Sequence, residues 1–136
     1  MLDSSFLSMV AVGGAALFGL HGAVGLAIKH HFLRKTYLNY ACDKVAMLKG
    51  TYTLIFPAAC AAVIFYCMVL FILIRGIYQE EIHILMLNAV TIMALLATTF
   101  YAFKMFFILR VVCVGCIRVH LANLMMSSAL LYYNFH

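Results

Sequence analysis

The sequence predicts an all-α fold, an integral membrane four-helix bundle, and two observations indicate it. Apolar residues make up 68% of the 136-residue chain and charged residues only 10%, with a mean hydropathy of +1.11. Ordinary soluble domains do not have such a composition. The apolar residues also fall into four runs, each close to the roughly 20 residues that a helix needs to cross a bilayer. The chain is therefore expected to form a single transmembrane domain, 1–136.

The four predicted spans follow one another along the chain. The first covers about 6–28, and its Gly and Ala content allows a neighbouring helix to approach closely. The second covers about 52–74 and contains Pro57, which is expected in its first turns or at a kink near its start. The third and fourth cover about 82–107 and 111–133. The connection between these two is so short that they must be antiparallel neighbours.

Basic residues concentrate in the loop at 29–51, which holds five Lys or Arg residues and one acid, Asp43. Arg110 lies in the third connection on the same side, and the second connection holds Glu80 and Glu81. By the positive-inside rule, the first and third connections are expected to face the cytoplasm or the matrix. The net charge of +5 is interpreted as this topology signal and as a contact for membrane lipids, not as a nucleic-acid surface.

A CxxC motif, Cys113 and Cys116, lies near the start of the fourth span. On a helix these cysteines share a face with His120 and Asn123, whereas Arg118 points nearly opposite. A dithiol at a helix N-terminus suits redox chemistry, because unpaired backbone N–H groups and the helix dipole stabilise a thiolate. The alternative is that both cysteines are small packing residues of a membrane helix. Zinc is not expected, because no second ligand pair has finger-like spacing.

The last third of the chain resembles the vitamin K epoxide reductase (VKOR) family on the segments "FYAFKMFFIL" and "CVGCIRVHLAN". The segment "PAACAAVIFY" is similar to the opening of that family's second helix, and "YACDKV" to its first loop. The resemblance implies a four-helix bundle around a quinone, with Cys113 and Cys116 as the active-site dithiol. It also implies that Cys42 relays electrons to a partner thiol redox protein. Asn123 would then face the quinone pocket.

Three positions depart from the family's pattern. Gly50 stands where a second loop cysteine is expected, Ala58 where an Asn holds the quinone oxygen, and His120 where the family has a pocket tyrosine. Of the three residues, only His120 can take over the chemistry of the family's residue, because it can form a hydrogen bond or transfer a proton as the tyrosine does. Two functions therefore stay open. One is a membrane thiol–quinone oxidoreductase, and the other is a catalytically silent structural subunit of a larger membrane complex, such as a respiratory assembly.

Further polar residues fall inside the predicted spans. Lys104 lies near the end of its helix, where the ammonium group can snorkel to the interface. Arg118 is expected to contact a lipid phosphate or an acidic group of a partner chain. His21 with His83 or His120 is a candidate pair for haem, but a hydrogen-bonded histidine is the simpler interpretation and haem is not expected. The membrane is predicted to be the endoplasmic reticulum or the mitochondrial inner membrane.

Overall fold

The structure of the chain, a computed structural model, describes residues 3–32, 52–53, 56–79, 84–110 and 112–136. It is almost entirely helical. The four long helices are α1 (Ser4–Phe32), α2 (Ala58–Gln79), α3 (Ile84–Phe103) and α4 (Val114–Phe135). By length and composition, all four can cross a membrane. The predicted all-helical class is thereby confirmed, with four candidate membrane spans as in an integral membrane protein.

The helix α2 begins later than the predicted second span, 52–74. The residues before it form two short antiparallel strands, β1 (Tyr52–Thr53) and β2 (Phe56–Pro57). Proline has no N–H to donate to a helical turn, and its ring disfavours helical geometry in the preceding residue. Tyr, Thr and Phe in turn favour extended backbone. The helix therefore starts at Ala58, directly after the proline.

The same helix also ends later than predicted, at Gln79. The segment "RGIYQEE" was predicted to be a short turn, but its first five residues continue the helix. Arg, Ile, Tyr and Gln all tolerate helical backbone, and the single Gly76 costs only about 1 kcal/mol relative to alanine. One glycine is therefore too weak a signal to end a helix in which every other residue is compatible with helical geometry.

The connection between α3 and α4 starts with a change in helical winding. Lys104–Leu109 continues α3 as a π-helical segment. The segment ends at Arg110, whose backbone is left-handed with φ 49° and ψ 39° and whose N–H donates to the Met105 carbonyl oxygen. Among the described residues Arg110 is the only non-glycine residue with positive φ, which costs roughly 1–2 kcal/mol. The chain turns here, so α4 begins at Val114 instead of 111.

The helices pack antiparallel to their neighbours, with α1 between α2 and α4, and with α3 on the other side of α4. The helices α2 and α3 touch each other only slightly. The directions of the helices follow from residues that lie side by side on neighbouring helices: Gly13 with Leu73, Gly19 with Tyr66, Gly22 with Val119, Leu26 with Gly115, Thr98 with Asn123, and Asn88 with Asn134. The end of α1, the start of α2, the π-helical segment and the start of α4 therefore share one end of the bundle, which we call the cysteine end.

The core of the bundle is small and rich in alanine. Its buried apolar side chains come from all four helices: Val12, Ala15, Ala16, Ala23, Tyr66, Val69, Leu73, Leu87, Ala122, Met126 and Leu130. Between 22% and 33% of each candidate span is buried, and large side chains such as Leu85 and Phe107 point outward. Apolar residues on both the inside and the outside suit a bilayer, where lipid replaces water as the outer solvent.

The ring of Tyr66 crosses α1 at Gly19. The tyrosine is fully buried, and a Cβ atom added to Gly19 would overlap its ring and hydroxyl. Gly14, on the same helix, has open space in its Cβ direction. Gly19 is therefore required by the close approach of a neighbouring helix, in the way that small residues allow in membrane bundles. Gly14 is not subject to this constraint.

Replacing Gly19 with alanine should destabilise the protein, because Tyr66 must move or α1 and α2 must separate. We expect Gly19→Ala to lower the free energy of unfolding by about 1–3 kcal/mol. Gly14→Ala is the matched control and should be neutral or slightly stabilising, because alanine is the better helix former. Unfolding of the purified protein in detergent by heat or denaturant measures both changes.

A double variant isolates the cause of the destabilisation. In a Tyr66→Ala background, Gly19→Ala should cost far less, because the overlapping ring is gone and the two substitutions are no longer independent. An equal cost in both backgrounds would show that the contact with Tyr66 is not what excludes a side chain at position 19.

Candidate functional site

The cysteine pair lies at the N-terminus of α4. Cys113 is the N-cap residue, with extended backbone at φ −106° and ψ 115°. The Cys116 N–H donates to Cys113 Sγ at 3.4 Å, and the Ile117 N–H donates to the Cys113 carbonyl oxygen at 3.0 Å. The Cys113 sulfur thus takes the place of the side-chain oxygen that usually caps a helix. Negative charge on this sulfur is favoured by the N–H group and by the helix dipole.

The two cysteines differ in exposure. Cys113 is fully buried and packs with Met105, which is only 2% exposed. Leu26, Cys116 and Ile117 complete this small cluster, which lies apart from the main core. Cys116 is half-buried, and no disulfide joins the two residues. Cys116 is therefore the sulfur that an external molecule meets first, with Cys113 behind it.

His120 lies one helical turn after Cys116. Its side chain is partly buried, and its Nδ1 atom is shielded from solvent and has no hydrogen-bond partner among the described residues. An imidazole nitrogen can accept or donate a proton, and a shielded one without a partner is unusual in a folded protein. The structure thus places a group that can exchange protons on the same face of α4 as the cysteines.

Asn123 connects three helices by hydrogen bonds. Its Oδ1 accepts from the Tyr66 hydroxyl of α2 at 2.6 Å, and its Nδ2 donates to Thr98 Oγ1 of α3 at 2.6 Å. The Tyr66 hydroxyl also lies 3.1 Å from the carbonyl oxygen of Val119. All three side chains are buried. We call Tyr66, Asn123 and Thr98 the polar brace.

The polar brace gives Asn123 a role that the sequence analysis did not foresee. That Asn123 faces a quinone pocket stays a prediction, and the structure adds that both ends of its amide bind neighbouring helices. Tyr66 and Thr98 were not identified as functional candidates. A signal for them existed, because a polar side chain inside an apolar span needs a partner on a neighbouring helix. The spacing along one helix could not show which partner each of them has.

Two cationic residues lie on the parts of α3 and α4 that are nearest the cysteine end. Arg118 is the fifth residue of α4, and its side chain is exposed on the outside of the bundle. Lys104 opens the π-helical segment, and its Nζ lies 4.5 Å from the centre of the Phe100 ring. Asp3 is the only acid among the described residues and precedes α1, at the opposite end of the bundle. Arg118 therefore has no carboxylate near it in the described part of the chain.

Of the remaining predicted site residues, only His21 lies in the described part of the chain. Cys42 and His83 lie outside the described residues. His21 is exposed on the surface of α1. Within the ranges that the structure describes, no group of three or more His, Cys, Asp or Glu side chains could hold a metal ion. The candidate site consists of Cys113, Cys116 and His120, with the polar brace beneath it.

Comparison with known proteins finds no neighbour for this chain. No protein-family model, no curated protein and no solved structure matches it.

Loss of the hydroxyl at position 98 should weaken the bundle. Thr98→Val keeps the shape of the side chain but leaves the Asn123 amide without its acceptor. We expect it to lower the free energy of unfolding by about 1 kcal/mol, as for other hydrogen bonds between membrane helices. Thr99→Val is the matched control, because the Thr99 hydroxyl is exposed and bonds the Leu95 carbonyl oxygen of its own helix at 2.9 Å. Unfolding in detergent measures both substitutions. Equal losses of unfolding free energy would contradict a stabilising role for the Thr98 hydrogen bond of the polar brace.

A thiol reagent should modify Cys116 before Cys113, because the side chain of Cys113 is fully buried. Brief exposure of the reduced protein to a maleimide, followed by peptide mass spectrometry, measures the two rates in one sample. Unfolding the protein first should make the two rates similar. Faster modification of Cys113 in the folded protein would contradict the arrangement of the pair.

Proposed function

We propose that this chain is a membrane thiol–quinone oxidoreductase of the vitamin K epoxide reductase type. The observation that supports it most directly is the pair itself, a buried Cys113 behind a more accessible Cys116 at the first turn of a helix. Such a pair has the attacking and the resolving thiol within reach of each other. The fold supports the proposal at a coarser level, because the chain forms four helices that can cross a membrane.

The proposed reaction transfers two electrons and two protons. The Cys116 thiolate forms a bond to a carbon atom of the quinone, and the Cys113 thiolate then attacks Cys116 Sγ. The sulfur–carbon bond breaks, a disulfide forms, and the electron pair moves into the ring. The two protons of the thiols end on the two oxygens, so that dithiol and quinone become disulfide and hydroquinone. A partner dithiol protein, or Cys42 acting with one, restores the pair.

In this proposal His120 carries out the proton transfer. It lies one turn from Cys116, and its Nδ1 has no hydrogen-bond partner among the described residues. The thiol proton has to leave before the sulfur can attack, and an imidazole is the side chain best suited to take it near neutral pH. In this proposal His120 accepts that proton and passes it to the quinone oxygen.

The proposal includes a location and an orientation. The chain resides in the endoplasmic reticulum or mitochondrial inner membrane, among membrane lipids that Arg118 contacts through a phosphate group. In this proposal the cysteine end faces the cytoplasmic or matrix side, which the basic residues of 29–51 and of the third connection favour. The packing agrees with a common side for the two basic connections, because the first and third connections join helices at the same end of the bundle.

A second candidate function is favoured by the polar brace. The amide of Asn123 binds Tyr66 and Thr98, so it holds three helices together. A bundle whose central polar residue is used in this way suits a catalytically silent structural subunit of a larger membrane complex. Under this function the cysteine pair is a helix cap and a packing contact.

Quinone reduction by the full chain in detergent tests the first candidate. With dithiothreitol as the reductant and a short-chain quinone as the acceptor, the wild-type protein should reduce quinone faster than a protein-free mixture. Cys116→Ala should bring the rate down to the protein-free value, because the attacking sulfur is lost. Cys67→Ala is the control, because Cys67 is an exposed cysteine of α2, on a different helix from the pair.

The same measurement separates the two functions. Equal rates for the wild-type protein and Cys116→Ala would reject the oxidoreductase. Migration of the chain with a large assembly on a native gel would then support the structural subunit.

A further inference from the structure

A methionine sulfur accompanies the cysteine pair. Met105 and Cys113 form a separate buried cluster at the cysteine end, with Cys116 packed against it. Met105 is the second residue of the π-helical segment, in which each turn holds more residues than in an α-helix. The changed winding sets the direction in which this side chain leaves the helix. Distortions of this kind are frequent at functional sites.

Two thiolates and a thioether are soft ligands, and soft ligands select Cu(I). Zinc takes four ligands in a structural site, and the described residues offer no group of that kind. Cu(I) does not need a tetrahedral cage of His or carboxylate side chains. We propose that Cys113, Cys116 and Met105 form a binding site for Cu(I), with the two cysteines as the principal ligands and the Met105 sulfur as the third.

The charges around the pair favour such a complex. Binding releases both thiol protons, so one Cu(I) ion with two thiolates carries a net charge of minus one. The N-terminus of α4 stabilises this charge, because Cys116 N–H already donates to Cys113 Sγ. Lys104 and Arg110 lie in the adjoining segment and are both cationic. The segment that adjoins the pair therefore carries two positive charges, and the described residues place no acidic side chain at this end of the bundle.

Burial and exposure of the three sulfurs also fit a soft metal ion. Cys113 and Met105 are shielded, which keeps water and oxidants from a bound Cu(I), whereas Cys116 is half-buried and gives the ion a way in. The orientation expected from the basic loop places this end on the cytoplasmic or matrix side. Thiols there stay reduced, which is the form that binds the metal.

The copper site does not depend on quinone reduction. Both uses require the same two sulfurs, so a bound Cu(I) ion prevents formation of the disulfide. A chain that fails to reduce quinone can still bind copper, and the two proposals are tested by separate measurements.

Anaerobic titration of the reduced full chain in detergent with the coloured Cu(I)–bicinchoninate complex tests the site. We expect the wild-type protein to remove one equivalent of Cu(I) from the complex, with a matching loss of colour. Cys116→Ser and Cys113→Ser should remove none. Met105→Leu should bind one equivalent about tenfold more weakly, as expected for loss of one supporting contact to the metal.

Matched controls are available on other faces of the bundle. Met93→Leu changes an exposed methionine of α3, and Cys67→Ser an exposed cysteine of α2, so both should titrate as the wild-type protein does. X-ray absorption of the loaded protein should show sulfur neighbours alone around copper. The proposal is overturned if the wild-type protein removes no Cu(I), if Cys116→Ser binds as tightly as the wild type, or if nitrogen ligands dominate the absorption spectrum. Wild-type affinity in Met105→Leu would remove the thioether from the site and so overturn the three-sulfur arrangement.

Discussion

The hydrogen bonds of the Asn123 amide are the interaction on which the rest of the bundle depends. They draw α2 and α3 toward α4, although α2 and α3 hardly touch each other. The Tyr66 hydroxyl can reach the amide only because Gly19 lets its ring pass α1. Lipid tails are as apolar as the side chains of the bundle core, so the hydrophobic effect does not favour one helix arrangement over another. A few buried polar contacts and close helix crossings then select the arrangement.

The sequence was sufficient for the class of fold and for the position of the cysteine pair. Hydropathy shows where a helix can cross a membrane, and three-residue spacing puts Cys113 and Cys116 on one turn. It was not sufficient for the start of α2, where Pro57 and the β-forming residues before it override an apolar run. It also did not reveal the π-helical segment, because neither the hydropathy nor the residue spacing of "KMFFIL" distinguishes it from an α-helix.

The chemistry of the site depends on the difference in exposure between two neighbouring sulfurs. A buried Cys113 is a poor target for a molecule in solution, but it is well placed to act on whatever Cys116 has captured. The same order applies to both proposals, the quinone bonded through a ring carbon to Cys116 and the Cu(I) ion bound by both sulfurs. Cys116 also lies one turn from His120, whose shielded Nδ1 is the proposed acceptor of the thiol proton.

The central position of α1 has a consequence for assembly. Its two main contact surfaces face α2, the next helix in the chain, and α4, the last of the four. The hairpin of α1 and α2 can form as soon as both are inserted, but the second surface of α1 stays open to lipid until α4 arrives. Synthesis of the intervening helix therefore sets a delay during which Gly22 and its neighbours are exposed. A chaperone or a partner helix that covers this surface would protect the partly assembled bundle from wrong helix contacts until α4 packs against α1.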